Sequence, residues 1–224
     1  MATQPARVLP GREVLETTMV IVSGLILAGG SGRRVGAFKP DLKVGGLPLV
    51  LRVLSAVRPL AQEIVVVYGP ETHRHRLEAL VQEARFVGDE GEGPLGGLFR
   101  GAEAARGDWI LVAPADAPFL SSDLYGRLLE EAQGGDGCLL PADPKVNPLI
   151  AAYRRLPLLK VVEPLLSQGE RAAHAILPHL RLAHLTRTDL AAVPFGAHST
   201  FDVDTEADLE RAEEILEGRG DVDG

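Results

Sequence analysis

Leu27-Ala28-Gly29-Gly30-Ser31-Gly32-Arg33-Arg34-Val35-Gly36, with Lys39 just beyond it, ends an apolar run that begins at Val20. A short continuous apolar run bounded by turn residues reads as a buried strand, and the glycines that close it free the backbone for unusual φ/ψ and close approach. Backbone amides exposed in this way can converge on an anion, and two arginines and a lysine stand beside them here. The stretch therefore reads as the first strand of an α/β sheet with a polyphosphate cradle at its carboxyl end. Leu27, Ala28, Gly29, Gly30, Ser31 and Gly32 form the candidate cradle, and Arg34 and Lys39 are its candidate cations.

Strand and helix patterns alternate onward from this point. Leu49 to Val57 reads as a helix stopped by Pro59, Ile64 to Tyr68 as a buried strand, and Leu77, Leu80, Val81 and Ala84 as the stripe of an amphipathic helix. Arg85 to Val87 reads as a short strand. It is followed by the glycine-rich stretch Gly88 to Gly97 and then by a helix with Leu98, Phe99, Ala102 and Ala105 inward. Trp109 to Ala113 is the next strand, Ser121-Ser122-Asp123 caps a helix, and Gly137 to Leu140 and Leu149 to Tyr153 complete the sheet. Leu156 to His179 reads as helical, and Thr205 with Asp208 opens a last helix with Leu209, Ala212 and Leu216 inward. The alternation predicts a doubly wound, mostly parallel sheet with helices on both faces, with room for one antiparallel strand. Residues 1–18, with Pro5, Pro10, Gly11 and no apolar period, read as a disordered leader ahead of Met19; residues 19–218 read as one domain and 219–224 as a tail.

Composition narrows the class. The chain has 224 residues, 46% hydrophobic but only 4% aromatic, which suits an interior of Leu, Val, Ile and Ala between layers. One cysteine, Cys138, permits no internal disulfide and suits a reducing, cytoplasmic setting. The net charge of −8 argues against nucleic acid or an anionic membrane as partner. Residues 1–60 nevertheless hold eight Lys/Arg against three acids, a local +5 that leaves −13 for the rest. An anionic ligand meets its positive field at the glycine loop.

Candidate carboxylates fall at strand ends, where doubly wound sheets bind ligands. Asp116 sits between Pro114 and Pro118 after a buried strand, with the next helix starting only later, so its carboxylate is left free for a hard cation such as Mg²⁺ beside a triphosphate. Phe201 to Thr205, read as a strand end, offers Asp204, with Asp202 on the same face. Asp89 stands at a third strand end. The spacing Gly30, Gly32, Gly36 imitates a dinucleotide fingerprint, but Pro40 and Gly45-Gly46 interrupt the helix it needs, and no acid lies between Asp41 and Glu63 to hold a ribose. The histidines show no regular ligand spacing.

With these residues in place the chain resembles the molybdenum cofactor guanylyltransferase family, enzymes of the nucleotidyltransferase fold that attach GMP to molybdopterin. Its L-A-G-G loop with R-M-G and a lysine is similar to Leu27-Ala28-Gly29-Gly30, Arg34-Val35-Gly36 and Lys39, and its D followed by G-P-L-A-G to Asp89 and Gly93-Pro94-Leu95-Gly96-Gly97. Its D-x-P is matched by Asp116-Ala117-Pro118, its P-L-x-A-L-Y-R-R by Pro148 to Arg155, and its N-x-N-T-P-E-D-L by Asp202 to Leu209. The chain departs from the pattern at Phe38, where the family has Asp, at Pro40 and Asp41, and at Asp202 and Asp204, where it has Asn. That last form resembles the related cytidylyltransferases. The resemblance implies GTP and molybdopterin as substrates and Mg²⁺ as cofactor. It implies that Arg34 and Lys39 serve the phosphates, that Asp116 with Asp204 holds the metal, and that Gly93, Pro94, Leu95, Gly96, Gly97 and Asp89 line the base and ribose. It further implies a monomer with transient contacts to molybdopterin-supplying or molybdoenzyme proteins. The alternatives are CTP or another phosphorylated acceptor, and a nucleotide-binding module without catalysis, suggested by Phe38 and Pro40.

Overall fold

The computed structural model describes residues 20–29, 38–141 and 146–218; the expected leader and tail, and the loop residues Gly30, Ser31, Gly32, Arg33, Arg34, Val35 and Gly36, lie outside them. The apolar run becomes β1 (Val22–Ala28), buried throughout except for the half-buried Leu27. After a 3₁₀ turn (Lys39–Asp41) comes a hairpin of β2 (Lys43–Val44) and β3 (Leu47–Pro48), which the sequence reading did not foresee. Gly45 and Gly46 make its turn with φ of 60° and 76°, a conformation open chiefly to glycine. α1 (Leu49–Val57), β4 (Glu63–Tyr68), α2 (Glu71–Leu80), β5 (Ala84–Gly88), α3 (Gly93–Ala104) and β6 (Trp109–Pro114) follow in strict alternation. α4 (Ser122–Glu131), β7 (Gly137–Leu139), β8 (Ala151–Arg154), α5 (Arg155–Ser167), β9 (Leu182–His184), α6 (Arg187–Ala191) and α7 (Glu206–Leu216) complete the order.

Four local readings are corrected, and the cap of α4 is narrowed to Ser121. The α2 stripe stops at Val81, which is extended, so Ala84 opens β5. α3 starts at Gly93, so the second half of the glycine stretch, Gly93 to Gly97, supplies its first turns rather than lying before it. The helical region from Leu156 breaks after Ser167, where Gly169 takes φ of 87°, and resumes as a 3₁₀ segment over Ala173–His179. Ser121 caps α4 by accepting the Leu124 N–H at 3.2 Å, and Asp123 lies in the first turn. Phe201 to Asp204 form no strand; Val203 makes a single backbone hydrogen bond, to the Asp116 carbonyl at 3.0 Å. Among the described residues no strand pairs with it to build a ladder.

Among the described residues the main sheet has seven strands, in the order β5-β4-β1-β6-β8-β7-β9. All run parallel except β8, which is antiparallel to both neighbours and is the one reversed member that the sequence allowed. Alternation along each strand divides the interior. Ile26, Val66 and Leu111 face α1, α2 and α4, whereas Leu25, Val65 and Val112 face α3 and α5. A third cluster joins Val44, Leu49, Phe119 and Val203 to Ala212 and Ile215 of α7. The chain winds outward from β1 through β4 to β5 with its helices on one face, then returns through α3 on the other face to β6. Right-handed crossovers in opposite directions require this change of face. The reversal leaves a crevice at the carboxyl ends of β1 and β6.

Candidate functional site

A cavity of about 270 Å³ occupies that crevice, with Leu27 and Gly29 after β1, Asp89 after β5, Gly93, Pro94 and Gly97 on α3, Asp116 after β6 and Leu149 before β8. Close packing at its back explains two glycines. A Cβ on Gly29 would run into the Asp89 carboxylate, and one on Gly69 would lie 2.5 Å from the Gly29 carbonyl oxygen. Asp89 is fixed in turn: its N–H donates to the Tyr68 carbonyl at 2.9 Å, and its Oδ1 accepts the Gly91 N–H at 2.9 Å. Glu90, Gly91 and Gly93 all have positive φ, of 53°, 74° and 73°, which folds the β5–α3 connection tightly over the cavity.

Lys39 lies at the cavity's edge. Its ammonium donates to Asp116 Oδ2 at 3.3 Å and to Asp204 Oδ1, joining three residues that are 77 and 165 positions apart in sequence. The lysine side chain is 12% exposed and the two aspartates 28% and 42%. Burial alone would lower the Lys39 pKa, but the Asp204 hydrogen bond and the charges of both carboxylates hold it above its ordinary value. Asp204 is aimed by the start of α7: its N–H donates to Asp208 Oδ2 at 3.0 Å, and Asp208 forms the capping box with Thr205. Burial of the Asp202 carboxyl, followed by the like charges of Asp116 and Asp204, pushes its pKa up. Among the described residues no group of three or more His, Cys, Asp or Glu side chains makes a preformed metal cage.

An open groove of about 1020 Å³ continues from the cavity, sharing Pro94 and Leu149 with it and running past Asn147, His174 and Thr200 to Asp202. A small pocket of about 20 Å³ between Ala28, Lys39, Pro40 and Asp116 adjoins the cavity, sharing Leu27 and Asp116 with it. The structure thus gathers Leu27, Gly29, Asp89, Gly93, Pro94 and Asp116 on one cavity, with Lys39 and Asp204 at its mouth and Ala28 behind them. Gly30, Ser31, Gly32 and Arg34 lie outside the described residues. Leu95 does not line the cavity. It is fully buried among Leu98, Val65 and Val67, and its N–H donates to the Arg171 carbonyl at 3.0 Å. Gly96 is buried against Glu92, whose Cβ leaves no space for another. Both positions follow from the helix starting at Gly93, which turns the next residues toward the sheet. Val67, Pro114 and Leu149 also line the cavity and were not singled out in sequence. The first two are the last or nearly last residues of their strands, and that position was the available signal. Among the described residues no helix is long and apolar enough to cross a membrane.

Residues 24–184 match the MobA-like NTP transferase domain. A probable molybdenum cofactor guanylyltransferase of Natronomonas pharaonis is 32% identical over 200 residues, covering 87% of this chain and 98% of that protein. One of Bacillus cytotoxicus is 27% identical over 173 residues, covering 75% and 85%. The crystal structure of molybdopterin-guanine dinucleotide biosynthesis protein A from Archaeoglobus fulgidus superposes with a TM-score of 0.74 at 27% identity, covering 88% of this chain and 99% of that one. The 4-diphosphocytidyl-2C-methyl-D-erythritol synthase of Anaerococcus prevotii shares the fold, with a TM-score of 0.66 at 16% identity and coverage of 88% and 96%.

Proposed function

The chain belongs to the MobA-like NTP transferase family, and from that premise we propose that this nucleotidyltransferase moves GMP from GTP onto the phosphate of molybdopterin, forming molybdopterin guanine dinucleotide and releasing pyrophosphate. The observation that carries the reading is the Lys39 ammonium held against Asp116 and Asp204 at the mouth of a cavity lined by glycines and Asp89. Base and ribose enter the cavity between Leu27, Gly29, Asp89 and Gly93, and the acceptor lies along the groove past Asn147 and His174. The triphosphate then crosses between them, over Lys39.

An acceptor phosphate oxygen attacks the α-phosphorus. One O–P bond forms to it as the bond to the β-phosphate oxygen breaks, and pyrophosphate carries away the electron pair. Such a transfer asks the protein for alignment and charge neutralisation rather than for a nucleophile of its own. Lys39 supplies positive charge to the phosphate oxygens, with Arg34 as its expected companion from the glycine loop. Asp116 and Asp204 are an all-oxygen donor pair whose two negative charges Lys39 offsets only in part, which suits a hard ion such as Mg²⁺. That ion would offset charge on the triphosphate and on the departing pyrophosphate. Lys39 released from the two carboxylates would be free to turn to the phosphates.

The test is a panel of nucleoside triphosphates with Mg²⁺ and molybdopterin, scored for dinucleotide product. GTP should be used in preference to CTP, and absence of guanine dinucleotide defeats the assignment. Asp202 and Asp204 support the second reading, transfer of CMP, which the same panel reports.

A further inference from the structure

Phe38, the residue before Lys39, is 6% exposed although it belongs to the loop edge of the sheet. α2 covers it. His73 and Arg76 are three residues apart on that helix, hence on one face, and both lie against the ring. The His73 ring centroid is 4.6 Å from that of Phe38, tilted by 52°, and the Arg76 guanidinium carbon is 4.6 Å from the ring centre. The same guanidinium donates to Asp41 Oδ2 at 2.6 Å. Phe38 and Asp41 bracket the 3₁₀ turn, in which the Asp41 N–H donates to the Phe38 carbonyl at 3.1 Å and the Leu42 N–H to the Lys39 carbonyl at 3.0 Å. Arg76 therefore grips both ends of the turn from which Lys39 projects.

We propose that Arg76, acting through Phe38 and Asp41, is a positioning residue that aims the Lys39 ammonium at Asp116 and Asp204. The proposal rests on the reading that Lys39 meets the phosphates. An exposed ion pair adds little to global stability, and Arg76 is 52% exposed, so what it contributes is orientation. A lysine on a free loop would have to give up the freedom of its backbone as well as of its side chain on each engagement. His73 fits the arrangement as an uncharged neighbour. Burial and then the Arg76 charge lower its pKa, and among the described residues its Nδ1 has no hydrogen-bond partner. Arg76 is thus the cation that the Phe38 ring face receives.

The experiment combines kinetics with competitive acylation of lysines by acetic anhydride, using Lys160 on α5 as internal reference. Arg76→Gln should lower kcat roughly tenfold with little change in KM for the triphosphate, as expected for a misaimed group. Arg76→Lys, which keeps a cation within reach of Phe38 and Asp41, should restore most of that loss. In a Lys39→Ala background Arg76→Gln should have no further effect, because the residue through which it acts is gone. Acylation of Lys39 relative to Lys160 should rise severalfold in Arg76→Gln, with or without turnover. If the enzyme turns over GTP but Lys39 stays equally protected, or if the two substitutions are additive in kcat, the positioning role is overturned while the proposed reaction stands. If no triphosphate is used and Lys39 protection is nevertheless lost in Arg76→Gln, the proposed reaction falls and the aiming of Lys39 by Arg76 stands.

Discussion

Lys39 and Asp116 share an ion pair, yet their removal should have different consequences. A cation that serves the phosphates most strongly in the transition state contributes to kcat more than to binding, and loss of one such charged contact costs about 10²–10³-fold in rate. Lys39→Ala should therefore bind GTP by calorimetry and scarcely turn it over. Near-normal kcat would remove Lys39 from the chemistry. Asp116→Asn takes a negative oxygen from a hard cation with few protein ligands, so the Mg²⁺ requirement should rise and excess metal should recover part of the rate. A Mg²⁺ titration identical to that of the parent would rule out Asp116 as ligand. The same pair also predicts a pH effect. The Lys39 pKa is raised above its ordinary 10.5, so its contribution to stability is complete below that value and lost as pH rises through the folded-state pKa. The difference in Tm between the parent and Lys39→Met should stay constant up to about pH 10 and shrink above it.

α7 contributes to the site through its first turn. Thr205 and Asp208 cap the helix reciprocally, and Asp208 Oδ2 also receives the Asp204 N–H at 3.0 Å, so the cap and the aim of Asp204 are one structure. Thr205→Ala should cost about 1 kcal/mol, a Tm fall of roughly 2–4 °C for a chain of this size, and should raise the Mg²⁺ requirement as stability falls. The Thr205 hydroxyl leads the causes that lower the Asp208 pKa. This stabilisation is present above the ordinary carboxylate pKa and disappears as pH falls through the lowered one. α3 shows how far an element could be read from its residues. Glycines mark a ligand-facing segment, and Pro94 in the first turn is a helix-start signal that the glycines around it obscured. That start sends Leu95 into the interior. Leu95→Ala should consequently lose about 2–5 kcal/mol of stability by the usual cavity cost while leaving KM for the triphosphate unchanged. A large rise in KM at unaltered Tm would return Leu95 to the binding surface.

Two apolar layers, one on each face of the sheet, hold the molecule together. Leu128 on α4 and Leu158 on α5 are fully buried in different layers. Their alanine substitutions should each cost about 2–5 kcal/mol and should add within about 0.5 kcal/mol in the double variant; strong coupling in urea unfolding would mean that the layers are not separate. The strands β1, β4 and β6 were legible because continuous burial on both faces leaves an apolar run that no surface segment tolerates, and the caps of α4 and α7 because Ser121 and Thr205 satisfy amides within their own turn. β9 was not legible, since Leu182-Ala183-His184 is three residues long and half exposed, and its pairing with β7 is the chief mark of a strand. Phe201 to Asp204 failed in the opposite sense: the alternation suggested a strand, but among the described residues no strand pairs with it. Near neighbours along the chain set strand period, glycine turns and helix caps, because those interactions span only a few residues, and these were readable from residue order. The reversal of β8, the burial of Leu95 and the meeting of Lys39 with Asp116 and Asp204 across 77 and 165 positions were settled by folding, because they depend on which helix covers which face of the sheet, a matter of packing between distant segments.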